Sequence, residues 1–563
     1  MRKMVGLFLS GLLMLTLLTG TVFASDLLNE PGTLPLVKSP VKLVIGTPAI
    51  ATITNYDQNH FTNYLREKTG VDIEIFLFDG VEYRSQLQLM VSANEKLPDM
   101  LWAFPLPPAE RENYGKQGYF VDLLPYFEEH KLTHYFDGEA ASYLTEDEKS
   151  TTLSAGLSSN GALYAFPFWA VSVADPWSNG LLINNKFCEA LGMDIPTTID
   201  EYYDYLVAVK TKDPNGNGLN DEIPLVGFAK SGNGDIITNL LNSFLYYPAT
   251  WEGVALCADD EGKIYVPYQQ DAFREGMRWI AKCHAEGLIS DLSFSQDRYG
   301  LQAMTDLTGD APDVVGSAMS HRSYMFASHA TAERRPHYTT IGPLVGPEGV
   351  AYASTWKTEP GYVNFITTDC EHPDVAFAVL DFMTSAESTL TARYGRENEY
   401  WRYATEEEIA GGSAWSDLGY TDVLYTSANM KLAWGQQTDE IWNTVHITWQ
   451  PKGFTALTPK TVYENPISQY NYDDWNQGVM KRYGQAPKNL VGSLAYTEEE
   501  VAQLGTSETD IGVYVRECMT RFVIGEMDIE KDWEEFQNNL KVMGLETVLS
   551  CAQAAYDRAY GSK

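Results

Sequence analysis

The sequence predicts an α/β protein of two lobes with a largely helical C-terminal region, on three observations. The chain has 563 residues, more than a single compact core accommodates. Strand-like and helix-like periodicities alternate through its first hundred residues, the pattern of a parallel sheet flanked by helices. The same alternation restarts near residue 180, which requires a second sheet.

The elements follow in order. Arg2 and Lys3 precede a nearly unbroken apolar run from Val5 to Leu18, and Val22-Phe23-Ala24 ends on small residues. Residues 1–24 are therefore expected to be a signal peptide of an exported protein, with an uncleaved anchor as the alternative. Leu18-Thr19-Gly20 begins like a lipoprotein processing motif, but Thr21 stands where the lipidated Cys belongs. Asp26 to Pro40 lacks periodicity and reads as a linker (25–40). Val41 to Gly46 is a short apolar strand. Phe61, Tyr64 and Leu65 recur at helical spacing until Thr69-Gly70. Val71 to Phe78 alternates Val71, Ile73 and Ile75 with Asp72 and Glu74, a strand pattern. Leu87, Met90 and Val91 mark a second helix, and Met100-Leu101-Trp102 a third strand. Sheets of this kind take ligands at the carboxyl ends of their strands, where Trp102 falls.

In the second series Leu181 to Ile183 is a strand. Thr198 and Glu201 then have the spacing of a capping box, which satisfies free backbone N–H groups at a helix start. The same Thr-x-x-Glu spacing occurs at Thr145/Glu148, Thr405/Glu408 and Thr497/Glu500. Trp533, Phe536, Leu540 and Met543 carry helical spacing to the C-terminal end.

Composition excludes several classes. A chain 44% hydrophobic and 12% aromatic is not disordered, and no apolar run after residue 24 suffices for a polytopic membrane protein. Lys+Arg number 40 against 76 Asp+Glu, a net charge of −36. Such a surface lacks the cations that displace counterions from phosphate backbones, so a nucleic-acid partner is not expected. Six cysteines (Cys188, Cys257, Cys283, Cys370, Cys518, Cys551) are too sparse for a disulfide scaffold. Most read as small buried hydrophobes; Cys518 and Cys551 are the one pair placed to meet.

Two features carry chemistry. Asp213-Pro214-Asn215-Gly216-Asn217-Gly218-Leu219-Asn220-Asp221-Glu222 sets oxygen donors at positions one, three and five, Gly at six and a carbonyl at seven, as a calcium loop of the EF-hand type does. Position twelve is Pro224, not a bidentate Glu, so Asp221 and Glu222 must close a shortened loop. A metal-free polar turn is the alternative; three clustered carboxylates favour structural Ca²⁺. The second feature is an abundance of aromatics, 13 Trp and 34 Tyr. Trp102, Trp169, Trp177, Trp356 and Trp401 fall beside expected strand ends or lobe crossings. Indole faces suit the apolar C–H faces of sugar rings, although each residue could equally serve a core. Trp279, Trp442 and Trp533 sit in helical patterns and read as core. Enzyme signals are weak: no GxSxG, HExxH or phosphate-binding GxxxxGK[ST] occurs, and His130 and His134, spaced i,i+4, have no third ligand nearby.

Leu87 to Asp99 (LQLMVSANEKLPD), Gly115 to Pro125 (GKQGYFVDLLP) and Gly161 to Pro167 (GALYAFP) resemble the extracellular solute-binding proteins of ABC importers. Leu191-Gly192 with Pro196 to Glu201, then DPNGNGLNDEIPL, resembles the large oligosaccharide-binding branch of family 1, as do Gly342 to Leu344, Gly346 to Gly349 and the tail from Phe522 to Arg558. The resemblance implies a two-lobed, periplasmic-binding-protein-like fold that closes by a hinge, an N-terminal lobe of 41–168 plus 340–390, and a C-terminal lobe of 169–339 plus 391–563. It implies Ca²⁺ ligands at Asp213, Asn215, Asn217, Leu219 (carbonyl), Asp221 and Glu222. It also implies a sugar-stacking Trp102 after Pro98-Asp99, and a polar pair, His321 and Arg322, after Gly316 to Met319. The implied function is capture of an oligosaccharide by a monomer and delivery to a permease, with no catalysis; a secreted glycan-active enzyme is the alternative. Overall acidity leans toward a neutral glycan, while Arg322 or Arg396 could host a uronic acid.

Overall fold

The computed structural model describes residues 26–128, 132–170, 175–177, 179–229, 234–249, 253–320, 329–413, 415–419, 423–426, 437–442, 447–455 and 477–560. The expected signal peptide, His130, His321 and Arg322 lie outside the described residues. Strands β1 (Lys42–Pro48), β2 (Asp72–Phe78), β3 (Met100–Leu101) and β4 (Phe166–Phe168) precede β5 (Gly180–Asn184) and β6 (Ile223–Val226). Then come β7 (Cys257–Ala258), β8 (Ile264–Tyr265), β9 (Val315–Ser320), β10 (Tyr338–Thr340) and β11 (Gly361–Ile366). The first sheet has the order β2-β1-β3-β11-β4 and the second β10-β5-β9-β6, while β7 and β8 pair as a separate two-stranded ribbon.

The first sheet grows from the alternation read in the sequence. β1 and β2 run parallel in register from Lys42↔Asp72 to Pro48↔Phe78, joined by the helix His60–Thr69. Asn59 caps that helix by accepting from the Phe61 N–H, and Gly70 ends it at φ 73°, a conformation that suits a residue without Cβ. Phe61, Tyr64 and Leu65 are buried, as their spacing requires. β3 pairs parallel with β1, and β11 returns from far along the chain to pair antiparallel with β3 and β4. The second sheet is mixed: β5 enters from the other lobe and runs antiparallel to β9 and β10, while β6 is parallel to β9.

All four Thr-x-x-Glu sequences form reciprocal capping boxes. The C-terminal helices Ser507–Ile524, Trp533–Val542 and Leu545–Tyr560 pack Val515, Phe522, Phe536, Leu540 and Val548 into the second-lobe core. No described helix is long and apolar enough to cross a membrane.

Several expectations are corrected. Residues 26–38 are not a free linker: Asn29 N donates to Leu36 O and Val37 N to Thr69 O, and Leu28, Leu36 and Val37 are buried in the first-lobe core. The segment 340–345 belongs to the second lobe, because Thr340 pairs with Leu182 and Val345 N donates to Thr197 O. Of the described residues between 391 and 455, Ala392, Trp442, Ile447 and Trp449 share the first-lobe core, not the second, and Trp401 and Phe454 pack with Ala386 and Leu390, while Trp415 packs with Trp177, Ala353 and Val479. Trp442 is core, as expected, but stands outside any helix; Trp279 and Trp533 lie on helices, partly buried against the second-lobe core. All six thiols, Cys518 and Cys551 included, are free and buried.

Candidate functional site

The carboxyl ends of β1, β2 and β3 form one edge of the first sheet, and those of β6 and β9 one edge of the second. The chain passes between lobes from β4 to β5, again from β10 to β11, and a third time between the first-lobe residue Trp449 and Val479. These passages meet in one small apolar cluster of Trp177, Ala353, Trp415 and Val479, with the Tyr483 ring 5.5 Å from Trp177 at 47°. Arg482, 3% exposed, ties the first two together: its Nε donates to Trp177 O at 2.6 Å and its Nη1 to Ile341 O at 3.3 Å. A Cβ at Gly180 would stand 2.5 Å from Arg482 Nη1, so a larger residue there would have to displace the guanidinium.

Beside Arg482 lies a recess at the carboxyl edge of the second sheet. It is lined by Asn179, Ser243, Met319, Tyr352 and Ser354 among others. Asn179 is 6% exposed and, among the described residues, its Oδ1 has no hydrogen-bond partner. Buried polar atoms are nearly always satisfied, so this acceptor stands out on the recess wall.

The five candidate indoles are not brought together. Trp102 follows β3 as expected, yet is fully buried against Trp442, with ring centroids 5.7 Å apart, and its Nε1 has no partner among the described residues. Trp169 is buried in the same core and donates to Thr152 Oγ1 at 3.2 Å. Trp401 is buried in another cluster and donates to Gly395 O at 2.9 Å. Trp169 and Trp401 are thus interior residues whose polar atoms are already used, and the stacking role expected of them is withdrawn. Trp177 stands at the crossings, and Trp356 is half-buried on the second one. Arg396, a candidate host for a uronate, is engaged by Glu440 through Nε at 2.8 Å and Nη2 at 3.3 Å. Sequence reasoning missed Asn179 and Arg482; a lone Asn and a lone Arg have no periodic or motif signal.

The acidic loop 213–222 joins the helix Ile199–Thr211 to β6. It is wound by successive side chain-to-backbone turns: Asp213 accepts from the N–H of Asn217 and Gly218, Asn215 from that of Asn217, and Asn217 from that of Leu219. Asp213, Gly216 and Gly218 have φ of 48°, 71° and 78°. Asp221 accepts from the Asn215 and Asn217 amides at 3.1 Å. Glu222 has Oε1 3.5 Å from Asn215 N and a buried Oε2 with no partner among the described residues. A wound loop of hard oxygens holding an orphaned carboxylate oxygen fits a calcium-sized cation. Among the described residues no group of three or more His, Cys, Asp or Glu forms a metal cluster; the fit here depends on amide and backbone oxygens as well.

No family model matches the chain. It is 21% identical over 526 residues to the fructooligosaccharide ABC transporter substrate-binding protein FusA of Streptococcus pneumoniae serotype 4, covering 89% of this chain and 87% of that one. It is 23% identical over 517 residues to lipoprotein LipO of Bacillus subtilis, covering 88% of each. Among solved structures, an extracellular solute-binding protein from Bifidobacterium longum subsp. infantis superposes with a TM-score of 0.72 at 18% identity, over 92% of this chain and 98% of that one. FusA in complex with kestose superposes at 0.66 and 17%, over 93% and 100%; a FusA EF-hand mutant has also been solved. The chain has the solute-binding-protein fold. The crossings and Arg482 lie beside the recess at the carboxyl end of β9.

Proposed function

We propose that the protein is an exported substrate-binding protein that captures an oligosaccharide between its lobes and delivers it, unaltered, to the permease of an ABC importer. The observation that carries this reading is the recess with its bare acceptor at the crossings, on a fold shared along nearly its whole length with FusA. Trp177 and Trp356 supply aromatic faces at the crossings, and Trp102 an indole N–H at the edge of the first sheet. His321 and Arg322, which follow β9 in the sequence, are the polar pair assigned to the ligand. The protein acts as a monomer.

Asp213, Asn215, Asn217, the Leu219 carbonyl, Asp221 and Glu222 would hold structural Ca²⁺, which supplies charge that three clustered carboxylates otherwise lack. The loop is an outer turn of the second lobe and contributes no group to the recess. A thermal-shift screen against a glycan panel, with and without chelator, tests both parts. At least one oligosaccharide is expected to raise the melting temperature, since a ligand that binds only the folded state stabilises it. No sugar product is expected on prolonged incubation. Chelation is expected to lower the melting temperature of the wild type and leave Asp213→Ala unmoved; a wild type indifferent to chelator would remove the metal.

A further inference from the structure

The passage from β10 to β11 is fastened to the second lobe almost to its end. Tyr352 N donates to Asn242 O at 2.9 Å and Ala353 N to Gln485 O at 2.6 Å. Thr355 O accepts from Ala249 N at 3.2 Å and from the Tyr246 hydroxyl at 3.0 Å. Glu359 makes the last tie. Its Oε2 accepts from Ser493 N at 2.9 Å and its Oε1 from the Tyr560 hydroxyl at 3.2 Å. Tyr560 packs against Ile264, Ala552 and Tyr556, at the end of the C-terminal helix that also fills the second-lobe core. Lys357 Nζ stands 3.7 Å from its ring centroid.

From Gly361 the chain belongs to the first lobe. Gly361 pairs with Phe168 and Tyr362 with Pro167. The Tyr362 hydroxyl donates to Thr152 O at 2.7 Å, and Phe104 N donates to Val363 O at 2.8 Å. The change of lobe is thus confined to Glu359-Pro360-Gly361. The Pro360 ring fixes its own φ and holds Glu359 extended. Rotation is left to Pro360 ψ and to Gly361, the residue type least restrained in φ and ψ. Packing does not demand this glycine, because a Cβ there would meet Phe168 O at 3.7 Å, an ordinary contact. Among the described residues one ion pair joins the lobes directly, Lys116 with Glu498 at 3.6 Å; its carboxylate is 92% exposed, and such pairs restrain little.

The recess lies wholly on one side of this turn. Its walls are the start of β5, the helix Ile236–Leu241 with the turn after it, Met319 of β9, the passage before Thr355, and Arg482. None of its lining residues comes from the first lobe. Resting on the saccharide-capture reading, we propose that Pro360-Gly361 is the pivot of this passage and that the second lobe alone carries the recess as a preformed half-site. The saccharide docks on the second lobe first, and the first lobe then closes onto it about Gly361.

The test uses the full exported chain, whose six native thiols are buried, with kestose, nystose and a neutral milk tetrasaccharide as probes. Spin labels are placed pairwise through Gln88→Cys on the first lobe, Glu275→Cys on the second and Thr358→Cys in the passage. On adding a sugar that raises the melting temperature, the 88–275 and 88–358 distances should shift together while the 275–358 distance stays as in the free protein. A 275–358 distance that moves with the sugar overturns the pivot. So does a probe that binds in titration calorimetry without changing the 88–275 distance. Gly361→Ala, which the packing accepts, should hold the melting temperature and narrow the 88–275 distribution of the free protein; Glu359→Gln combined with Tyr560→Phe should broaden the 275–358 distribution. Distributions unchanged in both variants overturn the proposal. Rapid mixing reads the order of events: the observed rate of the tryptophan signal should rise toward a plateau with sugar concentration, and a rate that falls overturns docking before closure. Absence of binding by every probe removes saccharide capture itself, a separate result.

Discussion

Asp381 shows how one buried acid sets a pH response. It is 3% exposed on the helix Pro373–Met383 and accepts from the N–H of Tyr135 at 3.0 Å and of Phe136 at 2.8 Å. Burial outweighs those bonds and pushes its pKa up to about 7 from the ordinary carboxylate value of 3.8. Between these values the folded chain holds a proton that the unfolded chain has released, so stability falls as pH rises through that window. Asp381→Asn is expected to raise the melting temperature at pH 8 by roughly a few degrees and to change little at pH 4, read by calorimetry at both. Glu408 runs the other way. The Arg402 guanidinium, 2.8 Å away, and the Thr405 cap hold its carboxyl at about 2, so its contribution is present above the ordinary carboxylate range and fades as pH falls toward 2. Neither behaviour is written in the sequence. An Asp in an apolar helix and a Glu in an acidic run reveal neither their burial nor their partners.

At the level of elements, local grammar was readable and packing was not. Thr198 illustrates the readable part. Its hydroxyl accepts from Glu201 N, and Glu201 answers on the Thr197 and Thr198 N–H groups; a spacing of three suffices to announce this. Thr198→Ala is expected to destabilise the second lobe by about 1 kcal/mol, measured as a lower denaturant midpoint. β1, β2 and the helix between them were legible because their periods differ and each is bounded by turn residues. The segment 26–38 was not, since two irregular stretches that bond across a turn leave no period. Burial of Trp169 and Trp401 was equally hidden. An indole beside a strand end looks the same in sequence whether it lines a groove or fills a core, and only tertiary contact separates the two. The acidic loop was legible by its oxygens, while the wound turns and the Glu222 oxygen left without a partner among the described residues are set by the folded backbone.

For the whole molecule, the resemblance foresaw two lobes but misplaced their edges, because the chain crosses between them more than once and composition does not change at a crossing. Trp442 and Trp449 went to the wrong lobe for that reason: both are apolar residues that either core could accept. Capture should appear as closure, with a smaller radius of gyration in solution scattering once a saccharide that shifts melting is added, and no such change with a saccharide that does not.

The buried thiols carry a consequence of their own. Cys370 sits in the first-lobe core, while Cys188, Cys283, Cys518 and Cys551 sit in that of the second. Burial pushes the Cys283 and Cys370 thiols up to about 12, so neither reacts until its surroundings come apart. A maleimide pulse during slow heating, read by peptide mass, therefore dates the failure of each half separately and in one tube. Bound sugar should delay both dates together, whereas loss of calcium should advance only those of the second half.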